Sequence, residues 1–119
     1  LPLIFDAMVS NGAKDVEAFV GLTSTAPAQL YGLTNKGRIA PDMDADLVVW
    51  DAGLERTFGA NDLHDNVGYN PWQGRTVVGW PGTAMLRGNT IVTKGQFHAN
   101  PGQGRWMQRE NLSADMSRG

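Results

Sequence analysis

Thr83-Ala84-Met85-Leu86-Arg87-Gly88-Asn89-Thr90-Ile91-Val92-Thr93-Lys94 is the stretch from which the architecture is read. Two short runs, residues 83–87 and 90–94, flank the dipeptide Gly88-Asn89. A two-residue Gly-Asn connection favours a primed β-turn, whose twist matches that of the strands it joins. An antiparallel hairpin is therefore expected here. Just upstream, Thr76-Val77-Val78-Gly79-Trp80 reads as a further strand closed by Pro81-Gly82. Leu47-Val48-Val49-Trp50, set between Asp46 and Asp51, is a solid apolar run of the kind found in a buried strand.

Before residue 33 the period changes from 2 to 3.6. Leu3, Ile4, Ala7 and Met8 fall on one helical face, and Asn11-Gly12 breaks that helix. Val16, Phe19, Val20 and Thr23 repeat at i, i+3, i+4, i+7, so a second amphipathic helix starts near Asp15. Asp15 and Glu17 lie in its first turn, where negative charge suits the helix dipole. Pro27 then suits the first turn of a third, short helix with Ala26 at its N-cap, and Gly32 is placed to cap its C-terminal end. Helices followed by a small, mostly antiparallel sheet make an α+β fold. That sheet has too few strands to close a sandwich or to cover the apolar helix faces. From Asn100 onward the chain is polar and aperiodic, and an extended tail is expected.

Composition excludes several classes of function. Ten Lys and Arg stand against twelve Asp and Glu, with no basic patch to neutralise phosphates, so no nucleic-acid partner is expected. No cysteine occurs among the 119 residues, which removes a disulfide scaffold, a thiolate zinc site and a cysteine nucleophile together. The same absence is compatible with a cytoplasmic location, the one expected here. No apolar run approaches the ~20 residues that span a bilayer, so no membrane partner is expected. Leu1-Pro2-Leu3-Ile4-Phe5 is too short and uncharged for a signal peptide, and the absence of an initial Met suggests a start inside a longer protein or after processing.

No constellation of side chains carries chemistry. His64 and His98 form no H-x-H or H-x-x-x-H spacing that would put two ligands on one face. Asp42, Asp44 and Asp46 alternate like a calcium loop, but Leu47 and Gly53 stand where an EF-hand needs its glycine and its closing Glu; the alternation reads as a turn whose aspartates accept backbone hydrogen bonds. Gly102-Gln103-Gly104 lacks the strand, helix and Gly-Lys-Ser/Thr of a phosphate loop, and Asn111-Leu112-Ser113 is a glycosylation match without a secretory context. Ser10, Ser24, Ser113 and Ser117 lie in no G-x-S-x-G elbow. Four Trp and two Tyr without interleaved Arg or Lys read as core. Catalytic, cofactor-binding and metal-ligating residues are all expected to be absent.

The β-rich part carries a family resemblance. Lys36-Gly37-Arg38-Ile39-Ala40-Pro41 followed by Asp44-Ala45-Asp46-Leu47-Val48-Val49-Trp50-Asp51 resembles a segment shared across the amidohydrolase superfamily. Asn66-Val67-Gly68-Tyr69-Asn70-Pro71-Trp72-Gln73-Gly74-Arg75 is similar to the N-V-x-Y-x-P-[FYW]-x-G run of hydantoinases and dihydropyrimidinases. Gly79-Trp80-Pro81, Arg87-Gly88 with Gly95, and Pro101-Gly102-Gln103-Gly104-Arg105-Trp106 resemble the same enzymes. Upstream, Leu1-Pro2-Leu3, Thr25-Ala26-Pro27-Ala28 and Tyr31-Gly32-Leu33 match that family's final barrel helices. The likeness runs from Leu1 to about Arg109. Asp42 and Ala26 depart from it, at structural positions; Asp tolerates a left-handed backbone, so the turn at Asp42 should survive.

The resemblance implies a C-terminal region of a D-hydantoinase or dihydropyrimidinase. Residues 1–34 would be the last barrel helices, 35–99 part of an incomplete β-sandwich, and 100–119 a C-terminal tail. Such enzymes hydrolyse the C–N bond of cyclic amides with a binuclear zinc centre, held by an H-x-H pair, a carboxylated Lys, two further His and an Asp. None of these maps onto this chain; Lys14, Lys36 and Lys94 sit in no matching context. The parent would be an enzyme, while this chain alone would be structural and non-catalytic, with no cofactor of its own. Its expected partner is a second copy, as dimer or higher oligomer, or the missing barrel portion. The alternative is a free-standing, non-catalytic interaction module from a truncated or split gene.

Overall fold

The computed structural model describes residues 1–63 and 66–110. It contains two helical segments followed by a four-stranded antiparallel sheet in the order β1-β2-β3-β4, as the α+β reading expects.

Helix α1 covers residues 2–10: Pro2–Phe5 is α-helical and runs directly into a π-helical turn, Asp6–Ser10. Pro2 sits where its missing N–H costs nothing. Asn11 and Gly12, the latter at φ 71, end the helix. Helix α2 covers residues 16–30, and here one expectation is corrected. Val16–Val20, a π-helical turn at Gly21–Thr25, and Ala26–Leu30 form one continuous helix, not a second helix and a separate third. Ala26 is not an N-cap; its φ −63 and ψ −43 are helical. The π turn loosens the backbone ladder just ahead of Pro27, so the lost N–H ends nothing. Asp15 is the true N-cap, accepting from the Ala18 amide at 2.8 Å. At the other end Gly32, at φ 64, closes the helix as expected. Its N–H donates to Gln29 and that of Leu33 donates to Ala28, satisfying two terminal carbonyls.

Strands β1 (Leu47–Thr57) and β2 (Thr76–Leu86) are longer than the sequence suggests. Pro81-Gly82 does not close a strand. Pro81 lies opposite Trp50 at a shift of register, one of the few places a strand accommodates a residue without an N–H. A second irregularity sets residues 52–54 of β1 against Gly79 alone. β3 (Asn89–Thr93) and β4 (Gln96–Phe97) complete the sheet.

The hairpin forms, but its turn sits one residue earlier than expected. Leu86 pairs with Asn89, so Arg87 (φ 47) and Gly88 (φ 80) are the central residues. Positive φ at both positions is the primed geometry. Lys94 (φ 48) and Gly95 (φ 78) repeat it between β3 and β4, a second hairpin where the sequence reading has a strand ending at Lys94.

The core is small and sits between the helices and the sheet. Phe5, Phe19, Ala28, Phe58 and Val77 are buried. Phe5 packs edge-on to Phe19 at 5.2 Å between ring centroids and tilted against Trp50 at 4.8 Å. Gly79, at φ 98, makes room: a side chain there would overlap the Phe5 ring. α1 also grips the part of β2 that β3 leaves uncovered. Asp6 accepts from the Val78 amide (2.9 Å), and the Ser10 hydroxyl donates to the Val78 carbonyl (2.7 Å). Both backbone groups of one strand residue are thereby satisfied.

The tryptophans divide, correcting the expectation that all the large aromatics belong to the core. Trp50 and Trp80 pack in clusters, while Trp72 and Trp106, with Tyr31 and Tyr69, are exposed. Those four lie on loops, the tail or a helix end, where the described chain covers them only in part.

Candidate functional site

The densest polar cluster joins the two halves of the molecule. The loop from α2 to β1 brings Lys36 beside Asp44 and Asp46, and its ammonium bonds both carboxylates, Asp44 at 2.8 Å. Asp46 turns its other oxygen to the amide of Arg87 at 2.8 Å. Backbone bonds hold the loop as well: Asp44 donates to the Asn35 carbonyl, and Gly88 to that of Ala45. Arg87 in turn donates from its guanidinium to the Gln103 carbonyl of the tail. One lysine thus ties the loop to β1, and Asp46 ties β1 to the first hairpin turn.

The electrostatics fit this arrangement. Partial burial pulls the Lys36 ammonium down, but its hydrogen bonds to Asp44 and Asp46 and their charges outweigh burial and hold it above its ordinary value. For Asp46, burial pushes up, while the hydrogen bonds from Lys36 and from the Arg87 amide prevail and hold its carboxyl below the usual range. The alternating aspartates that look like a cation loop do face a cation, but it is an ammonium of the same chain. Asp42 stands in the turn at φ 65, the left-handed backbone that an Asp is expected to tolerate.

Other motif residues have structural tasks too. Gly37, at φ 88, lies against α2, where a side chain would meet the Ala28 methyl, and its carbonyl accepts from the Thr25 hydroxyl at 2.9 Å. Buried Asn70 organises the 58–75 loop. Its amide donates to the Gly59 carbonyl (2.7 Å) and its oxygen accepts from the Trp72 amide (2.9 Å). Asp62 holds the same loop from the other side, accepting from the Gly59 amide at 2.8 Å and pairing with Arg56 at 3.2 Å. Arg56 lies 4.5 Å from the centre of the Trp80 ring.

The candidate chemical residues do not converge. His98 is exposed beyond β4, and its backbone amide donates to Ile91. Gln103 of the glycine run accepts from the Asn100 amide through its side chain, closing a turn at Gly102. Ser10 serves β2, and Ser24 is exposed on α2. His64, Ser113, Ser117 and Asn111-Leu112-Ser113 lie outside the described residues. Among the described residues no three His, Cys, Asp or Glu side chains are grouped to hold a metal ion, so they do not fit a binuclear zinc centre. Nor is any described helix long and apolar enough to cross a membrane. Among the described residues, one open groove of about 290 Å³ runs between Lys36, Arg87, Arg105 and Trp106, and another of about 640 Å³ lies on the sheet beside Leu54, Arg56 and Trp80. The first has its Lys36 and Asp44 already bonded to each other, and neither groove is lined by a histidine or a serine.

What sequence reasoning missed is the role of Lys36. The available signal was a lysine ahead of an Asp-x-Asp leading into an apolar strand, a pattern that is an ion cluster once the loop folds back.

This sheet, hairpin pair and loop architecture places the chain by comparison. The model of the amidohydrolase family matches residues 4–91, and the chain belongs to that family. Within it the chain is similar to the D-phenylhydantoinase of Escherichia coli, with 39% identity over 111 residues, 92% of this chain and 24% of that protein. Among solved structures it resembles a D-hydantoinase at TM-score 0.89 and 35% identity, over 94% of this chain and 25% of the other. A dihydropyrimidinase from Brevibacillus agri NCHU1002 matches at TM-score 0.88 and 35% identity, over 94% and 24%. The chain spans about a quarter of the length of the curated relatives it matches.

Proposed function

We propose that this chain forms the C-terminal part of a hydantoinase- or dihydropyrimidinase-type hydrolase acting on the C–N bond of cyclic amides. Its own contribution is then packing and subunit association, not catalysis. The observation that carries this reading is the mismatch of extents: likeness over more than nine-tenths of this chain, but only about a quarter of each relative. The matched motifs support it, because Lys36, Gly37, Asp46, Asn70 and Arg87 all serve the fold.

In this reading residues 1–34 complete a barrel and residues 35–99 contribute to a β-sandwich, with the remaining polypeptide covering what is exposed here. Exposed apolar residues support the need for such a partner. Among the described residues five apolar side chains are buried, whereas sixteen large ones are exposed, including Leu22, Leu30, Val49, Ile39 and Trp106. Patches of this kind mark interfaces. Divalent metal in the complete enzyme would polarise the carbonyl and supply hydroxide at neutral pH. No step of that chemistry runs through the residues described here.

The test is hydrolysis of dihydrouracil or hydantoin by the purified chain with zinc present. The expected outcome is no turnover, and zinc-dependent turnover by the chain alone would refute the proposal. Co-expression with the upstream three-quarters of a relative lacking its own C-terminal part should restore activity.

A second reading, a free-standing interaction module, draws on the same exposed residues. It predicts a soluble dimer or larger assembly of this chain by itself.

A further inference from the structure

We propose that Asn11 is a site of spontaneous covalent modification, at which attack by the Gly12 backbone nitrogen converts asparagine to aspartate or isoaspartate and loosens α1 from β2. The sequence has eight asparagines, and Asn11 is the one followed by glycine. Attack needs an N–H in the next residue and free approach to the side-chain carbonyl. Asn70 and Asn100 precede proline, which has no N–H. Asn89 starts β3, paired with Leu86 and followed by β-branched Thr90. At Asn11 the approach is open: the residue is exposed, Gly12 is at φ 71, and the space where a side chain would stand is empty.

Two hydrogen bonds set the pace. The Asn11 side-chain amide donates to the Asp6 carbonyl at 2.8 Å, and the Gly12 N–H donates to that of Val9 at 2.9 Å. Both must open before the reaction, which means fraying the last turn of α1, a local opening far cheaper than unfolding. The Gly12 nitrogen then bonds to Asn11 Cγ as its proton passes to solvent, Nδ2 takes up a proton from solvent, the Cγ–Nδ2 bond breaks, and ammonia leaves. Water opens the resulting cyclic imide at either carbonyl, giving aspartate or, with the backbone rerouted through Cγ, isoaspartate.

The product changes what α1 can hold. A carboxylate replaces the donor that faced the Asp6 carbonyl, and it adds negative charge at a helix C-terminus, where the dipole disfavours it. Asp6 and Ser10 of that same turn hold both backbone groups of Val78. Loosening the turn therefore weakens the attachment of α1 beside the Phe5–Gly79 contact.

The folded chain is incubated at mildly alkaline pH in heavy-oxygen water and mapped by peptide mass spectrometry. The mass gain of amide-to-acid exchange, carrying heavy oxygen and divided between aspartate and isoaspartate, is expected first at the peptide holding Asn11. It should appear faster in denaturant, and Asn11→Gln should abolish it without changing the circular dichroism. Earlier reaction at another asparagine, or no reaction at Asn11 while the denatured chain reacts there, would overturn the proposal. In N11D, amide exchange at Val78 should speed up while residues 83–93 stay as they were; an unchanged Val78 would sink the link to β2.

Discussion

At Gly79 the backbone turns to φ 98 and the Phe5 ring occupies the volume a side chain would fill. Gly79→Ala therefore pays twice, in backbone strain and in displacing a buried ring, and should cost roughly 2–4 kcal/mol. A denaturation midpoint within error of wild type would contradict that packing. Lys36 is critical for a different reason. Its removal leaves Asp44 and Asp46 without the ammonium that bonds both, and only the more distant charge of Arg87 nearby, so Lys36→Met should cost about 1–2 kcal/mol at neutral pH. The pH dependence follows from the two shifts. Asp46 has its folded value below its ordinary 3.8, so its contribution is present above that pH and is lost as pH falls through the folded value. Lys36 has its folded value above 10.5, so its contribution is complete below 10.5 and is lost as pH rises through the folded value. Stability measured across both windows should fall at each end, and K36M should flatten both slopes.

Paired hairpins give the clearest contrast between elements. Both turns have a basic residue at the first left-handed position, where Asn is favoured over most side chains. Lys94→Asn should thus stabilise by roughly 0.5 kcal/mol, read as a higher denaturation midpoint with unchanged slope. Arg87→Asn offers the same backbone relief but gives up the bond to Gln103 that anchors the tail, and it should yield no gain. Equal stabilisation of the two variants would show that the tail contact contributes nothing. The helices show how pattern can mislead about elements. Pro27 reads as a start because it cannot complete an α-helical ladder, yet the π turn at Gly21–Thr25 carries the chain through it.

For the whole molecule, the balance of buried and exposed apolar surface points outward. Single exposed apolar residues are ordinary, but here they outnumber the buried ones and occupy both helices and the sheet. Edge strand β1 adds a row of backbone groups on the side away from β2. Light scattering at micromolar concentration should find a dimer or larger species for the isolated chain. A monodisperse monomer would count against association as its role.

The sequence by itself determined the local events. Gly32 at a helix end, Asp15 at a helix start, and a two-residue turn between residues 83 and 94 follow from backbone preferences that act over a few residues. Family membership was legible for a related reason. Motif residues such as Gly37, Asp46, Asn70 and Arg87 each meet a backbone or hydrogen-bonding demand that few other residues satisfy. Tertiary structure decided the rest. It decided that Pro81 lies inside a strand, because only the register with β1 sets a bulge there. It decided that Asp44 and Asp46 share Lys36, and that Phe5 takes the place of a side chain at Gly79. These contacts join residues far apart in the chain, and no local preference encodes a partner that arrives only when the chain folds back.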